Sequence, residues 1–376
     1  MLILSFLVSI ITFLSLSQGA YAVADPLAVP NNKIGLHLLF PGELHQAANI
    51  INRHGEAAWG YVTIPIQAGD RNRIKWQEFL DKCREEKIIP LIRITTVPEG
   101  SNWTTPNDFD LIDFANFLND LRWPVQNRYI ILFNEVNRSD EYGGALSPEK
   151  YADILNNAVD IFKSRSENFF ILPAGLDNAS SNGKNALHWK TYLLRMYRRQ
   201  PDVFNKLDGW TSHAYANPDF SARPDLSGSN KIDSFKYDLQ YLKRFTQKKL
   251  PVFITETGWS NKELSDHQIA LYYQYAFSKV WSDHNIVAVT PFLFNAQDGV
   301  FKQFSFLDDH QKEKEFAATF SVLAQRGGPA MVEEATPAAI YDSPAATTSA
   351  IEDRIDLFIS LPKLLDSLKE FINQNL

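Results

Sequence analysis

The chain has 376 residues, 45% of them hydrophobic, enough for one large core and within the size of a single α/β barrel with tails. Its formal net charge is −7, and its basic residues are scattered apart from short clusters at 195–199 and 243–249. These read as solvated helix faces, and the balance argues against a nucleic-acid partner. Aromatic residues make up 13% of the chain, with eight Trp, flat apolar surface that suits stacking on sugar rings even though most of it belongs to a core.

The first element in chain order is an apolar run over residues 1–16, followed by Ser17-Gln18-Gly19-Ala20-Tyr21-Ala22-Val23-Ala24. Small residues after an apolar stretch are what a signal peptidase cuts, so residues 1–24 are expected to be a leader and the product secreted or held at the cell surface. No basic residue precedes the run, which leaves an uncleaved N-terminal anchor as the alternative. The single Cys83 excludes an intramolecular disulfide and, inside a helical pattern at 74–86, is expected to be a packed thiol. Asn102, Asn137 and Asn178 each open a glycosylation triplet. A glycan on Asn137, two residues from Glu135, would obstruct the cleft proposed below, so that match is read as chance or as a sign that the chain does not meet the glycosylation machinery.

Eight strand-like runs follow at 34–40, 59–66, 88–94, 129–134, 169–174, 209–215, 251–256 and 286–294. Helical apolar spacing fills the intervals at 43–53, 74–86, 111–121, 148–165, 186–197, 235–246 and 266–283, and a last helix is predicted at 313–326. Eight alternations of strand and helix predict an α/β fold, the (β/α)8 TIM barrel, over residues 33–328. Residues 329–350, rich in Ala, Thr and Pro, read as a linker. In 351–376, Ile355, Phe358, Leu361, Leu365, Leu368 and Ile372 recur at steps of three and four, the pattern of an amphipathic helix that docks on the barrel or on a second copy.

Barrel enzymes carry their chemistry at the C-terminal ends of the strands. The polar residues there are His37, Arg93, Asn134 with Glu135, Asp177, His213 with Tyr215, Glu256 with Trp259, and Asn295 with Asp298. No lysine is among them, which argues against a Schiff-base aldolase. His37 stands mid-run, equally consistent with a barrel layer and with the cleft. Trp259 follows a glycine that opens the turn and reads as a sugar platform rather than core. No cofactor is expected, and nothing in the spacing of His37, Asp177, His213 and the two glutamates demands a metal.

Asn134-Glu135 closing the fourth strand, Glu256 closing the seventh and His213-x-Tyr215 on the sixth resemble the clan A glycoside hydrolases over residues 34–326. The resemblance implies that Glu135 is the general acid/base and Glu256 the nucleophile, that Asn134 binds the sugar 2-hydroxyl and that Tyr215 donates to Glu256. Thr63 stands where many clan members have an Arg on strand two, and Phe292 or Phe294 where they have a Trp on strand eight. Arg93 either takes over the cationic role beside Glu256 or forms a structural ion pair.

The chemistry stands apart from the resemblance. Retaining hydrolysis needs one carboxylate to attack the anomeric carbon and one protonated carboxyl to release the leaving oxygen, about 5 to 5.5 Å apart. The leading expectation is an exported retaining β-glycosidase with a carbohydrate substrate. A silent glycan-binding barrel and a metal-dependent barrel enzyme are the alternatives.

Overall fold

The computed structural model describes residues 23–28, 32–52, 59–296, 299, 301–320 and 323. All eight predicted strands are present: β1 (Gly35–His37), β2 (Gly60–Gln67), β3 (Ile88–Thr95), β4 (Arg128–Leu132), β5 (Phe169–Pro173), β6 (Trp210–His213), β7 (Val252–Glu256) and β8 (Ile286–Val289). They form a five-stranded parallel sheet in the order β1-β2-β3-β4-β5 and a three-stranded one in the order β8-β7-β6. Parallel bridges Ile34–Val289 and Asp177–His213 join the two sheets at both edges, as the predicted (β/α)8 barrel requires.

A helix follows each strand: α1 (Leu44–Ile51), α2 (Arg73–Glu85), α3 (Asp108–Asn119), α4 (Pro148–Lys163), α5 (Trp189–Arg199), α6 (Ser234–Leu242), α7 (Asp266–Tyr275) and α8 (Glu315–Thr319). Their starts are legible in the sequence: Asn72 and Asn107 cap α2 and α3 with side-chain oxygens, and Ser265 with Gln268 forms a capping box on α7. Helix α7 passes into a π-helical turn at Ala276–Val280, which ends the predicted 266–283 helix early. Strand β8 stops at Val289, short of the predicted 294, where Thr290 and Pro291 leave the ladder.

Two apolar populations follow from the alternation of strand residues. Those facing the helices join them in one large core, with Cys83 buried among them as the free thiol expected. Those facing inward, among them Tyr61, Leu91, Tyr129, Ile131, Phe170 and Phe253, fill the barrel with stacked side chains. Val23 and Leu27 pack against that inner cluster, and Asn127 fastens Ala24 with two hydrogen bonds, accepting from its N–H at 2.9 Å and donating to its carbonyl at 2.8 Å. Val23 and Ala24, the last two residues of the expected leader, thus contact the barrel. Residues 1–22 of that leader, Asp298, the 329–350 linker and the 351–376 helix lie outside the described residues.

Candidate active site

Glu135 lies three residues beyond the end of β4 rather than on it. Phe133 (φ 74°) and Glu135 (φ 31°) both adopt left-handed backbone, a conformation that costs about 1–3 kcal/mol per residue and is retained where the surroundings over-determine it. Here Glu135 N–H donates to Gly175 O at 2.9 Å, tying the carboxylate's backbone to the end of β5.

Glu256 ends β7 and would face outward by strict alternation, since Phe253 points into the barrel and Ile254 packs with the helices. The register with β6 shifts between Ser212–Ile254 and His213–Glu256, and the extra residue turns Glu256 into the mouth. There Arg93 Nη1 lies 2.5 Å from Glu256 Oε1 and donates also to Asn134 Oδ1 at 2.7 Å, while Tyr215 O–H donates to Glu256 Oε2 at 3.0 Å. His213 Nδ1 stands 3.0 Å from Glu135 Oε1 and 3.7 Å from Glu256 Oε2. One oxygen from each carboxylate and a ring nitrogen of His213 all lie within 4.8 Å of one another. That spacing would also suit a divalent cation, but the guanidinium of Arg93 already occupies Glu256, and the group is read as an ion-paired cluster.

The two carboxyls are driven apart electrostatically. Burial raises the Glu135 pKa and Asp177 adds to that effect, outweighing the opposing hydrogen bond from His213 and the charge of Arg138. Burial would raise Glu256 as well, but His213, Arg93 and His37 pull it below the ordinary carboxylate range. His213 itself, though buried, is raised by the two carboxylates. Tyr215 is held protonated by burial and by the same negative charges, as a donor to Glu256 must be.

His37 ends β1 rather than lying mid-strand, is fully buried, and has its Nδ1 3.9 Å from Glu256 Oε1 with the Phe292 ring 5.1 Å away. Burial and Arg93 lower its pKa to about 3. Thr63, in the position read as lacking the strand-two Arg, bonds Thr290 Oγ1 at 2.8 Å, and Arg93 supplies the cation beside Glu256 from β3 instead.

One expected site residue stands otherwise than predicted. Trp259 is 1% exposed, donates its Nε1–H to Ala222 O at 2.8 Å and packs edge-on against Tyr272 and Tyr273, so no face of it is open to a sugar. Asn295 donates to Gln311 Oε1 at 2.8 Å in the loop beyond β8. The aromatic surface beside Glu256 comes from half-buried Tyr215, Phe220 and Phe301, packed around Phe292 and Phe304. Neither Phe220 nor Phe301 stands out in the sequence, because each sits in a loop without periodicity.

Arg138 is a third residue that does not stand out, although its position three residues after Glu135 is a signal. It lies 3.7 Å from Glu135 Oε2 and 3.7 Å from Asp177 Oδ2. Gly175 is a fourth: a Cβ there would fall 2.2 Å from the His213 ring, so the imidazole packs directly on its backbone. Asn137 is fully buried and its amide is consumed, donating to Asp177 O and Leu187 O and accepting from Asp177 N–H.

A (β/α)8 barrel with carboxylates beyond β4 and on β7 sharing one histidine has the build of a barrel glycosidase. The chain belongs to the glycosyl hydrolase catalytic core family, whose model matches residues 102–320, and this places it among the glycoside hydrolases. Among solved structures it is similar to a glucosidase from Croceicoccus marinus (TM-score 0.59, 11% identity, covering 80% of this chain and 69% of that one). It is similar also to a family 39 glycoside hydrolase from the gut symbiont Bacteroides cellulosilyticus WH2 (TM-score 0.56, 14% identity, 81% and 65%). A third is a GH128 subgroup II endo-β-1,3-glucanase from Sorangium cellulosum (TM-score 0.52, 14% identity, 78% and 99%). The chain spans about two thirds of the family 39 enzyme's length, and at these identities the likeness to the solved structures is one of fold. No curated protein matches the sequence.

Proposed function

We propose that the chain is an exported, retaining β-glycosidase that hydrolyses O-glycosidic bonds in a poly- or oligosaccharide by double displacement. The observation that carries this reading is the approach of Glu135 and Glu256 to within 4.8 Å between carboxylate oxygens. Inversion needs room for a water between the carboxyls, about 6.5–9.5 Å, and retention about 5–5.5 Å.

In the first step the Glu256 carboxylate attacks the anomeric carbon while the proton on Glu135 passes to the departing glycosidic oxygen. Arg93, His213 and Tyr215 hold Glu256 ionised and oriented for that attack. Once Glu256 is esterified its charge is gone, the pKa of Glu135 falls, and Glu135 takes a proton from the water that attacks the same carbon and releases Glu256. Export rests on the apolar run at 1–16 and the small residues at 17–24. Residues 351–376 are assigned to docking on the barrel or on a second copy.

The test is a panel of aryl glycosides and polysaccharides, with and without chelator, followed by proton NMR of the first product on the best substrate. A β-anomer formed first and indifference to chelator are expected. An α-anomer first would mean inversion, and activity lost to chelator and restored by a divalent cation would favour a metal enzyme. Sugar binding without turnover would leave a silent glycan-binding barrel.

A further inference from the structure

The face of Glu135 opposite His213 is occupied by a charged cluster with no part in the double displacement. Arg138 is clamped by Asp140 in a bidentate pair, Nε to Oδ1 at 3.2 Å and Nη2 to Oδ2 at 2.8 Å. Its remaining nitrogen, Nη1, stands midway between Glu135 Oε2 and Asp177 Oδ2, 3.7 Å from each. Asp177 is itself immobilised, accepting from Ala179 N–H, Ser180 N–H and Ser180 O–H at 2.9, 3.1 and 2.6 Å, with its backbone bridged to His213. A turn in which Arg138 N–H donates to Glu135 O at 2.8 Å fixes the guanidinium relative to the carboxyl.

We propose that Arg138, with Asp140 and Asp177, is a positioning unit for the acid/base, orienting Glu135 Oε2 in both of its protonation states and biasing where its proton resides. The inference rests on the assignment of Glu135 as acid/base. With the His213 imidazolium, its pKa raised by the two carboxylates, donating to Oε1, the proton that Glu135 delivers is placed on Oε2, the oxygen facing Arg138. At 3.7 Å the guanidinium makes no hydrogen bond that would compete with that proton, yet it is close enough to attract the carboxylate when the proton leaves. A lone cation there would strip the proton from Glu135. Two carboxylates on one guanidinium leave the unit with one net negative charge, which instead favours the protonated form. This agrees with burial as the main cause of the raised Glu135 pKa, with Asp177 raising it further and Arg138 lowering it. The charged and titratable groups around Glu135 are Arg138, Asp140 and Glu141 on its own loop, Asp177 after β5, His213 on β6, Tyr215 after β6 and Glu256 on β7.

Substitutions that remove one charge on either side of the unit predict opposite shifts. Arg138→Gln removes a cation and should raise the upper limb of the kcat/KM pH profile by about one unit, while Asp177→Asn removes an anion and should lower it by about half a unit. The acidic limb, set by Glu256, should move less in both. The profiles are to be measured on the best polysaccharide of the panel and on a dinitrophenyl glycoside, which needs no proton in the first step. The loss in Arg138→Gln should be at least tenfold greater on the polysaccharide, since orienting the acid is then the function removed. A mere loss of packing would move both limbs alike or neither. Should Arg138→Gln fail to fold, Asp177→Asn carries the test alone, because Asn retains an acceptor for the 179 and 180 amides. An active wild type with a bell-shaped profile whose upper limb stays put, or moves the same way, in both variants would overturn this inference and leave the glycosidase reading intact. An inactive wild type would instead remove the reading beneath it.

Discussion

Arg93 and Glu256 meet across the barrel mouth, from β3 and β7, with Nη1 2.5 Å from Oε1. A buried guanidinium against a buried carboxylate keeps that carboxylate ionised where burial alone would protonate it. Arg93→Met should therefore raise the pKa of Glu256 and move the acidic limb of kcat/KM upward by about one unit or more, with the upper limb moving less. An acidic limb unchanged in that variant would show that Arg93 serves only the ion pair and the barrel end.

The two glutamates should respond differently to loss of charge. Glu256→Gln should abolish turnover, while Glu135→Gln should cost about 10² to 10⁴ in rate on polysaccharide, the range for loss of general acid catalysis. On an aryl glycoside with a good leaving group the Glu135 variant should still form the glycosyl-enzyme and accumulate it, visible by mass as one added sugar on Glu256. Equal losses on every leaving group, with no adduct, would show that Glu135 is not the acid.

Gly175 sets how closely the backbone beyond β5 approaches the shared histidine. An added Cβ would meet His213 Cδ2 and Nε2 at 2.2 Å, so Gly175→Ala must displace the ring from between the carboxylates. Misplacement of this size in a catalytic constellation costs about 10²-fold in rate. We expect a kcat loss of that order with KM changed less, and wild-type activity in Gly175→Ala would mean that the ring has room to retreat.

Acid should destabilise the protein partly through His37. Its pKa of about 3 in the folded chain lies below the ordinary 6.5, so between these values the unfolded chain takes up a proton that the folded one refuses. The contribution costs up to about 1.4 kcal/mol per pH unit as pH falls through that window, and nothing above it. In His37→Asn this dependence disappears, so the stability advantage of the wild type over the variant, followed by urea unfolding, should shrink steadily below pH 6.5. An advantage that is constant from pH 7 to 4 would sink the assignment.

At the other end of the barrel, Asn127→Ala should detach the segment at Val23 and Ala24 that packs against the inner cluster. Loss of both hydrogen bonds predicts a destabilisation of about 1–3 kcal/mol by urea unfolding, with kcat at 25 °C preserved. No loss of stability would mean that this segment contributes nothing to the barrel floor.

The strand count, the helix order and the two glutamates are legible in the sequence because each depends on local pattern: continuous apolar runs for parallel strands, 3.6-residue spacing for helices, a polar residue where a run ends. What eluded sequence reading depends on non-local packing. Trp259 follows a glycine, the sequence signal of an open turn, but the turn after β7 folds it inward onto Tyr273 and Trp281. Arg93 meets Glu256 because side chains on different strands reach one point at the barrel mouth, a convergence that only the register makes visible. Gly175 and Arg138 act through distances of closest approach, which carry no sequence periodicity.

The engagement of Asn137 bears on how the protein can be produced. Its amide joins the loops after β4, β5 and the start of α5, and no atom of it reaches the surface once the chain is folded. Asn178 is likewise buried, with its amide directed at Asp238. In a host whose oligosaccharyltransferase meets the nascent chain before these loops close, a glycan attached at either position would have to be accommodated in the interior, and folding would stall. A eukaryotic secretory host should therefore yield aggregated, hyperglycosylated material unless Ser139 and Ser180 are replaced by alanine, whereas a bacterial host lacking that enzyme escapes the trap.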